Sequence, residues 1–119
     1  SASEHLEATE ESVMVIAMLE SPPAAAAAEG ILREPGIDGF MIGTSDLAAS
    51  TGPDDPPTAA SVATINAAGA AAGSIRFDIV NDVEAARAAR RDGAAVIVYN
   101  TTALLRDLFS GLSADKEIS

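Results

Sequence analysis

The chain has 119 residues, of which 48% are hydrophobic and 21% charged, a length and composition typical of one globular domain rather than a disordered segment. It has no cysteine and one histidine, His5, which excludes a disulfide scaffold, a thiolate zinc site, cysteine catalysis and, unless His5 serves, a Ser-His-Asp triad. Lys and Arg number 7 against 18 Asp and Glu, and this net charge of −11 excludes nucleic acid as a partner.

Four short apolar runs predict β-strands that are buried on both faces. Each run is partly β-branched and apolar at consecutive positions, as in parallel strands that are covered by helices on both sides. The predicted strands are 13–19, 40–42, Ile75–Val80 and 95–99.

Helix start and stop signals lie between and after these runs. Ser21 and Pro22 predict the start of a helix over 22–33, because serine caps helix N-termini and proline suits the first helical position. Gly73 and Gly93 likewise favour helix ends. The other predicted helices are a short one over 46–50, Thr58–Ala72, 82–92 capped by Asn81, about 102–111, and a turn or two within 1–11.

This order of elements predicts an α/β fold made of four consecutive parallel βα units. Each connection between strands contains a helix, which suits parallel and not antiparallel neighbours. Four such units form either a small open sheet or half of an eight-stranded barrel, and the pattern alone leaves both open. We expect residues 1–119 to form a single unit.

Two carboxylates follow neighbouring strands at the point where each strand ends. Glu20 ends the first strand, and Asp46 comes just after the second. Because parallel neighbours end at the same edge of a sheet, both carboxylates are expected at one rim, where they suit a hard divalent cation such as Mg²⁺ or Mn²⁺. The alternative is purely structural, with Glu20 as a charge at a helix start and Asp46 as an N-cap.

The residues around Asp46 also suggest an anion site. The N–H groups of Ser45, Asp46 and Leu47 lie at the start of the short predicted helix, and such groups face bound anions when they lack an intrahelical acceptor. A small anion that a cation also holds is therefore a candidate ligand.

Two segments in this order resemble the HpcH/HpaI aldolases, the class II pyruvate aldolases that include 4-hydroxy-2-oxoheptanedioate aldolase and 2-dehydro-3-deoxyglucarate aldolase. Val15-Ile-Ala-Met-Leu-Glu-Ser-Pro22 is similar to the family's Ile-Glu-Thr-Pro strand end. Pro35-Gly-Ile-Asp-Gly39 and the turn Gly43-Thr-Ser-Asp46 resemble its Pro-Gly-Ile-Asp-Gly and Gly-Pro-Asn-Asp motifs. The segment from Asp92 to Leu105 resembles its last strand and helix. The resemblance covers nearly the whole chain but only the C-terminal half of a family member.

The resemblance implies a TIM (β/α)₈ barrel, with this chain supplying the fifth to eighth βα units. It implies that Glu20 and Asp46 ligate Mg²⁺, Mn²⁺ or Co²⁺ and that the N–H groups of Ser45 and Asp46 bind the carboxylate of a pyruvate-like 2-oxo acid. The metal would act as a Lewis acid in cleaving 2-oxo-4-hydroxy acids to pyruvate and an aldehyde. No residue is assigned as catalytic, because the family's arginine and histidine-containing base come from its N-terminal half. His5 is predicted to be a surface residue.

The sequence departs from the family's pattern in three places. Thr44 and Ser45 replace the Pro-Asn of the turn, the third strand carries 77–79 as Phe-Asp-Ile where the family has a small glycine near its pocket, and Asn100 replaces an aspartate. These departures weaken the transfer of the family's activity to this chain. We expect the chain to be inactive alone, because the N-terminal half that carries the family's arginine and base is missing. Two alternatives stay open: a fragment of a citrate lyase β-like acyl-CoA carbon–carbon lyase, and a non-catalytic assembly or binding module that kept the fold.

The partners follow from the same features. A half-barrel leaves two sheet edges and an apolar inner face uncovered, so we expect association with a missing N-terminal half-barrel or a homo-oligomer. No apolar run has the roughly 18–20 residues of a membrane span, and no signal peptide is recognisable. These features predict a soluble cytoplasmic protein that binds neither membranes nor nucleic acid.

Overall fold

The structure, a computed structural model, describes residues 12–118, and these fall into two compact units that meet in sequence between Ile75 and Arg76. The helical turns predicted within 1–11, and His5, lie outside the described residues. Unit 1 contains β1 (Ile16–Leu19), α1 (Pro22–Ala26), α2 (Ala28–Leu32), β2 (Gly39–Ile42), α3 (Thr44–Ser50) and α4 (Thr58–Ala72). Unit 2 contains β3 (Ile75–Val80, from its second residue), α5 (Val83–Arg91), β4 (Val96–Tyr99) and α6 (Thr101–Ile118).

The predicted α/β fold of consecutive parallel βα units is confirmed. β1 pairs with β2 in parallel, with Leu19 opposite Ile42. In unit 2, β3 pairs with β4 in parallel, with Val80 opposite Tyr99. Because β1 and β2 end in register, the residues that follow them leave the pair at the same edge.

The core of unit 1 lies on one face of the β1–β2 pair. Leu19 and Phe40 are fully buried there, and Leu47 of α3 and Ile65 of α4 pack into the same cluster. The Phe40 ring lies directly against the backbone of Gly69 in α4, where a Cβ atom would overlap ring atoms Cε1 and Cζ. A glycine near the C-terminal end of α4 therefore allows that helix to approach the sheet.

The prediction that the strands are buried on both faces is wrong. Met18 of β1 and Ile79 of β3 are about half exposed, and Val96 and Val98 of β4 are also exposed. In unit 1 the reason is that the helices that pack on the strands contact the face of Leu19 and Phe40, while Met18 alternates to the other face.

Two predicted elements at the start of unit 1 have clearly different bounds, while β2 and β4 begin one residue from the predicted positions, at Gly39 and Val96. The first strand begins at Ile16 and not at residue 13, because the Val15 N–H donates to the Asp38 carboxylate at 2.7 Å and not to a strand partner. The helix over 22–33 is broken at Ala27, whose ψ of 1° leaves the helical range. The first of the two resulting helices, α1, has Ser21 as its N-cap, as predicted.

Of the other helices, α4 begins and ends as predicted. The remaining three begin at other residues than predicted. The short helix begins at Thr44 with Gly43 as its N-cap. Asp82, and not Asn81, caps α5, because the Asp82 carboxylate accepts the Ala85 N–H at 2.7 Å. α6 runs past Gly111 to residue 118.

A three-residue ion-pair network stabilises unit 2. Arg76 of β3 donates two hydrogen bonds of 2.7 Å to the Asp78 carboxylate and one of 3.0 Å to the Asp92 carboxylate. The hydrogen bonds with Asp78 raise the pKa of Arg76 against the opposing effect of partial burial. The network joins β3 to the end of α5 through charge-assisted bonds, one pair of them bidentate.

α6 presents an apolar stripe to solvent. Leu105, Leu108, Phe109 and Leu112 are 51%, 58%, 62% and 56% exposed, and their spacing places them on one side of the helix. No helix in the described part of the chain is both long and apolar enough to cross a membrane. We call these four residues the α6 stripe.

We expect the 119-residue chain to self-associate through exposed apolar residues such as the α6 stripe. Replacing Leu108 with Lys and Phe109 with Glu should lower the association constant, because it removes apolar area from one contact surface without changing the net charge. The matched control replaces Ser110 with Lys and Ser113 with Glu, which are also exposed but lie outside the stripe. Sedimentation velocity measures the effect, and a compact wild-type monomer would contradict the expectation.

Gly69→Ala should destabilise unit 1. The added methyl group overlaps the buried Phe40 ring, and such overpacking costs about 1–3 kcal/mol. That exceeds the gain in helix propensity of about 1 kcal/mol. Gly30→Ala is the control, because a Cβ at Gly30 in α2 meets no atom within 4 Å. Urea unfolding followed by circular dichroism should give a lower midpoint for Gly69→Ala alone, and equal midpoints would show that the contact is not as tight as described.

Candidate metal centre

The ends of β1 and β2 bring Glu20 beside Gly43. Leu19 and Ile42 are opposite each other at the last position of the two strands, and Glu20 and Gly43 directly follow them. The Gly43 N–H donates to the Leu19 carbonyl oxygen at 3.0 Å, which extends the ladder by one bond. The two residues are thus held at the same edge of the sheet.

Gly43 provides the space that the Glu20 side chain occupies. A Cβ atom on Gly43 would lie 2.8 Å from Cβ of Glu20 and 2.9 Å from its Oε2. The φ angle of Gly43 is −78°, which any residue adopts, so the need for glycine here is steric. The Glu20 carboxylate therefore lies over the N-cap of α3.

Asp46 lies in the first turn of α3, and this arrangement differs from the alternative in which it is the N-cap. Gly43 is the N-cap, and no side chain caps α3. The Leu47 N–H bonds to the Gly43 carbonyl at 2.8 Å, so the N–H groups of Thr44, Ser45 and Asp46 precede the first backbone bond of the helix. The expectation that the Leu47 N–H faces an anion is therefore wrong, because it bonds within the helix, whereas the expectation for Ser45 and Asp46 stays a prediction.

The two carboxylates have no positively charged partner among the described residues. Glu20 and Asp46 are both exposed, and no described residue donates a hydrogen bond or ion pair to either carboxylate. Arg33 is the one Lys or Arg in residues 1–75, and it pairs with Glu29 at 2.8 Å. Within unit 1, therefore, no described cationic side chain compensates these two charges.

The donor set fits a hard divalent cation that keeps part of its water shell. Mg²⁺ is commonly bound through one or two carboxylates, with water and substrate oxygens completing the octahedron. The described residues contain no group of three or more His, Cys, Asp or Glu side chains placed to hold a metal. Two carboxylates without a third protein ligand correspond to this open type of site and not to a closed structural site.

Two features of the site were missed at the sequence level. One is the close contact of Glu20 with Gly43; the other is a hydrogen bond of 3.3 Å from the Ser50 hydroxyl to the Glu20 carbonyl oxygen. The partners are 23 and 30 residues apart along the chain, so no local pattern reports them. A glycine directly after a predicted strand was the one available signal.

Two of the three departures from the family's pattern lie in unit 2, and there Asp78 and Asn100 have structural partners. The Asp78 carboxylate accepts a hydrogen bond from Arg76. Phe77 is half-buried and Ile79 is exposed. The Asn100 side-chain oxygen accepts the Ala103 N–H at 3.3 Å at the start of α6. Asn100 and Asp78 therefore have local roles in the structure.

Comparison with known proteins identifies the relatives of the chain. The family model described as HpcH/HpaI aldolase/citrate lyase matches residues 2–103. A comparison with curated proteins found no match. Among solved structures, an HpcH/HpaI aldolase/citrate lyase family protein from Burkholderia cenocepacia J2315 is 32% identical, with a TM-score of 0.73 over 87% of this chain and 43% of that chain.

Two further structures are similar. The HpcH/HpaI aldolase from Desulfitobacterium hafniense DCB-2 shares the fold at 19% identity, with a TM-score of 0.77 over 98% of this chain and 48% of that one. A citrate lyase β subunit from M. tuberculosis, complexed with oxaloacetate and magnesium, is 27% identical, with a TM-score of 0.58 over 72% and 46%. The chain spans less than half the length of each of these three relatives.

Gly43→Ala should displace the Glu20 side chain. The new methyl group would lie closer to Cβ of Glu20 than carbon atoms approach. Rotation of the Glu20 side chain relieves the contact with Oε2 but not the one with Cβ, so the backbone at the two strand ends must also shift, at a cost of about 1–3 kcal/mol in stability. Gly52→Ala is the control, because its Cβ would meet only the Asp55 carboxylate, at 3.4 Å. The ¹³C resonances of the Glu20 side chain should shift in the first variant and not in the second. Unchanged Glu20 resonances in Gly43→Ala would contradict the contact.

Proposed function

The chain belongs to the HpcH/HpaI aldolase/citrate lyase family, and on that premise we propose that it is the metal-binding half of a divalent-metal-dependent lyase. The proposed reaction is cleavage of 2-oxo-4-hydroxy acids to pyruvate and an aldehyde. The chain contributes the metal ligands and the pyruvate-binding N–H groups, and we assign it no catalytic residue. On its own it is expected to be inactive.

One observation carries the proposal. The Glu20 carboxylate lies over Gly43, the N-cap of the helix whose first turn contains Asp46. Both carboxylates are exposed and without a partner among the described residues. Two uncompensated negative charges at one sheet edge are unfavourable unless they attract a cation, which is the condition a metal site requires.

The residues of the chain would divide the binding of a 2-oxo acid between them. Glu20 and Asp46 would hold Mg²⁺, Mn²⁺ or Co²⁺, which when bound supplies Lewis-acid chemistry to the 2-oxo group. The N–H groups of Ser45 and Asp46 would donate to the substrate carboxylate at the start of α3, where the helix dipole also favours negative charge.

Cation and substrate should bind cooperatively. Without a cation, the substrate carboxylate approaches two like charges, Glu20 and Asp46, and is repelled. A divalent cation reverses that repulsion, so each ligand raises the affinity for the other by the same factor. Oxalate, which resembles the enolate of pyruvate, should therefore strengthen metal binding.

A second candidate is a carbon–carbon lyase that acts on acyl-CoA esters. It is supported by the protein CitE from Mycobacterium tuberculosis, which is 27% identical and was solved with magnesium, acetoacetate and coenzyme A. The 2-oxo acid reaction remains our first proposal, since the net charge of −11 disfavours a CoA thioester with several phosphate charges. The proposed partners are a further half-barrel or other copies of the chain, supported by the exposed Met18 of β1.

The test is a Mn²⁺ titration followed by electron spin resonance, with and without oxalate. The wild-type chain should bind Mn²⁺ at one site, and oxalate should lower the dissociation constant. Glu20→Gln and Asp46→Asn should each weaken binding about 10-fold or more, because each removes a charged ligand. Asp54→Asn is the matched control, since it removes an equal charge from an exposed residue of the same unit.

Equal loss in Asp54→Asn would show that Mn²⁺ binds through the net negative charge and not at the proposed pair. No binding by the wild-type chain, with circular dichroism showing it folded, would contradict the proposal and favour a non-catalytic binding module.

A further inference from the structure

Ser50, the last residue of α3, connects that helix to the end of β1. Its hydroxyl oxygen lies 3.3 Å from the Glu20 carbonyl oxygen and 3.1 Å from the Leu47 carbonyl oxygen. A hydroxyl group has one proton, so it donates fully to one of these two acceptors or is shared between them.

The Leu47 carbonyl already has two donors. The Thr51 N–H lies 3.1 Å away and the Thr51 hydroxyl 2.8 Å away. A carbonyl oxygen has two lone pairs, which these donors occupy. The Glu20 carbonyl, in contrast, has no other donor among the described residues. The free lone pairs of the Glu20 carbonyl therefore favour it as the acceptor of the Ser50 proton, although the Leu47 oxygen is nearer.

This bond fixes α3 to β1 at a second point. At its start, α3 is held by the Gly43 N–H, which donates to the Leu19 carbonyl. At its end, it is held by the Ser50 hydroxyl on the Glu20 carbonyl. Asp46 lies between these two points, so the helix that carries one candidate ligand is attached on both sides of it to the strand end that carries the other.

We propose that Ser50 is a positioning residue, which holds the Glu20 backbone against α3 so that the Glu20 and Asp46 carboxylates bind the same divalent cation. The inference rests on the proposed function, because it presupposes that these two carboxylates are the ligands. Ser50 itself contacts neither metal nor substrate.

The test compares Mn²⁺ affinity with thermal stability in the 119-residue chain. Ser50→Ala should raise the Mn²⁺ dissociation constant about 2- to 10-fold, the range that loss of one neutral hydrogen bond produces. Ser50→Thr keeps a hydroxyl group and should restore wild-type affinity. In the metal-free chain, the ¹³C resonance of the Glu20 carbonyl should shift in Ser50→Ala and return in Ser50→Thr.

Thr51→Val is the matched control. It removes the neighbouring hydroxyl, which bonds to Leu47 at 2.8 Å and reaches Thr58 at 3.4 Å but makes no bond to Glu20. Thr51→Val should therefore lower the thermal midpoint at least as much as Ser50→Ala while leaving the Mn²⁺ dissociation constant unchanged. Equal weakening of Mn²⁺ binding in both variants would overturn the inference, because the effect would then follow stability and not position.

Two further results separate this inference from the proposed function. If Glu20→Gln and Asp46→Asn weaken Mn²⁺ binding and Ser50→Ala does not, the ligand pair stands and the role of Ser50 is overturned. If neither ligand variant weakens binding, the proposed function fails and the role of Ser50 fails with it.

Discussion

The parallel pairing of β1 with β2 is the constraint on which the candidate site depends. The register that sets Leu19 opposite Ile42 also places Glu20 beside Gly43, and only a glycine leaves room for the Glu20 side chain there. The core enforces the register, because Leu19 and Phe40 must face the same helices to be buried. A shift of one residue would turn these side chains away from the core and separate Glu20 from α3.

The chemistry of the candidate site depends on the charges around its two carboxylates. Arg33 pairs with Glu29, and no described residue of unit 1 offers a cation to Glu20 or Asp46. In unit 2, by contrast, the largely buried carboxylate of Asp78 forms an ion pair with Arg76. We propose that a cation from solution compensates the pair in unit 1 and that the N–H groups at the start of α3 bind an anion beside it.

Much of the fold could be predicted from the sequence, because its signals are local. The apolar runs, the cap Ser21 and the terminating Gly73 fixed most elements, and α4 has the predicted limits. Some errors were local, such as the cap at Asp82 in place of Asn81, and others arose where a distant partner decides. Val15 leaves the strand because Asp38 takes its N–H, and the bond from Ser50 to Glu20 joins residues 30 positions apart. The carboxylate positions followed from strand order alone, but the steric role of Gly43 required the structure.

Locating a bound Mn²⁺ ion tests the central claim most directly. Paramagnetic broadening in the ¹H–¹⁵N spectrum, at a Mn²⁺ concentration well below that of the chain, reports which backbone N–H groups lie near the ion. If Glu20 and Asp46 form the site, the N–H signals of Glu20, Gly43 and Asp46 should disappear first. Broadening centred on the acidic loop at Asp54 and Asp55, or spread evenly over the chain, would contradict the claim that these strand ends form a metal centre.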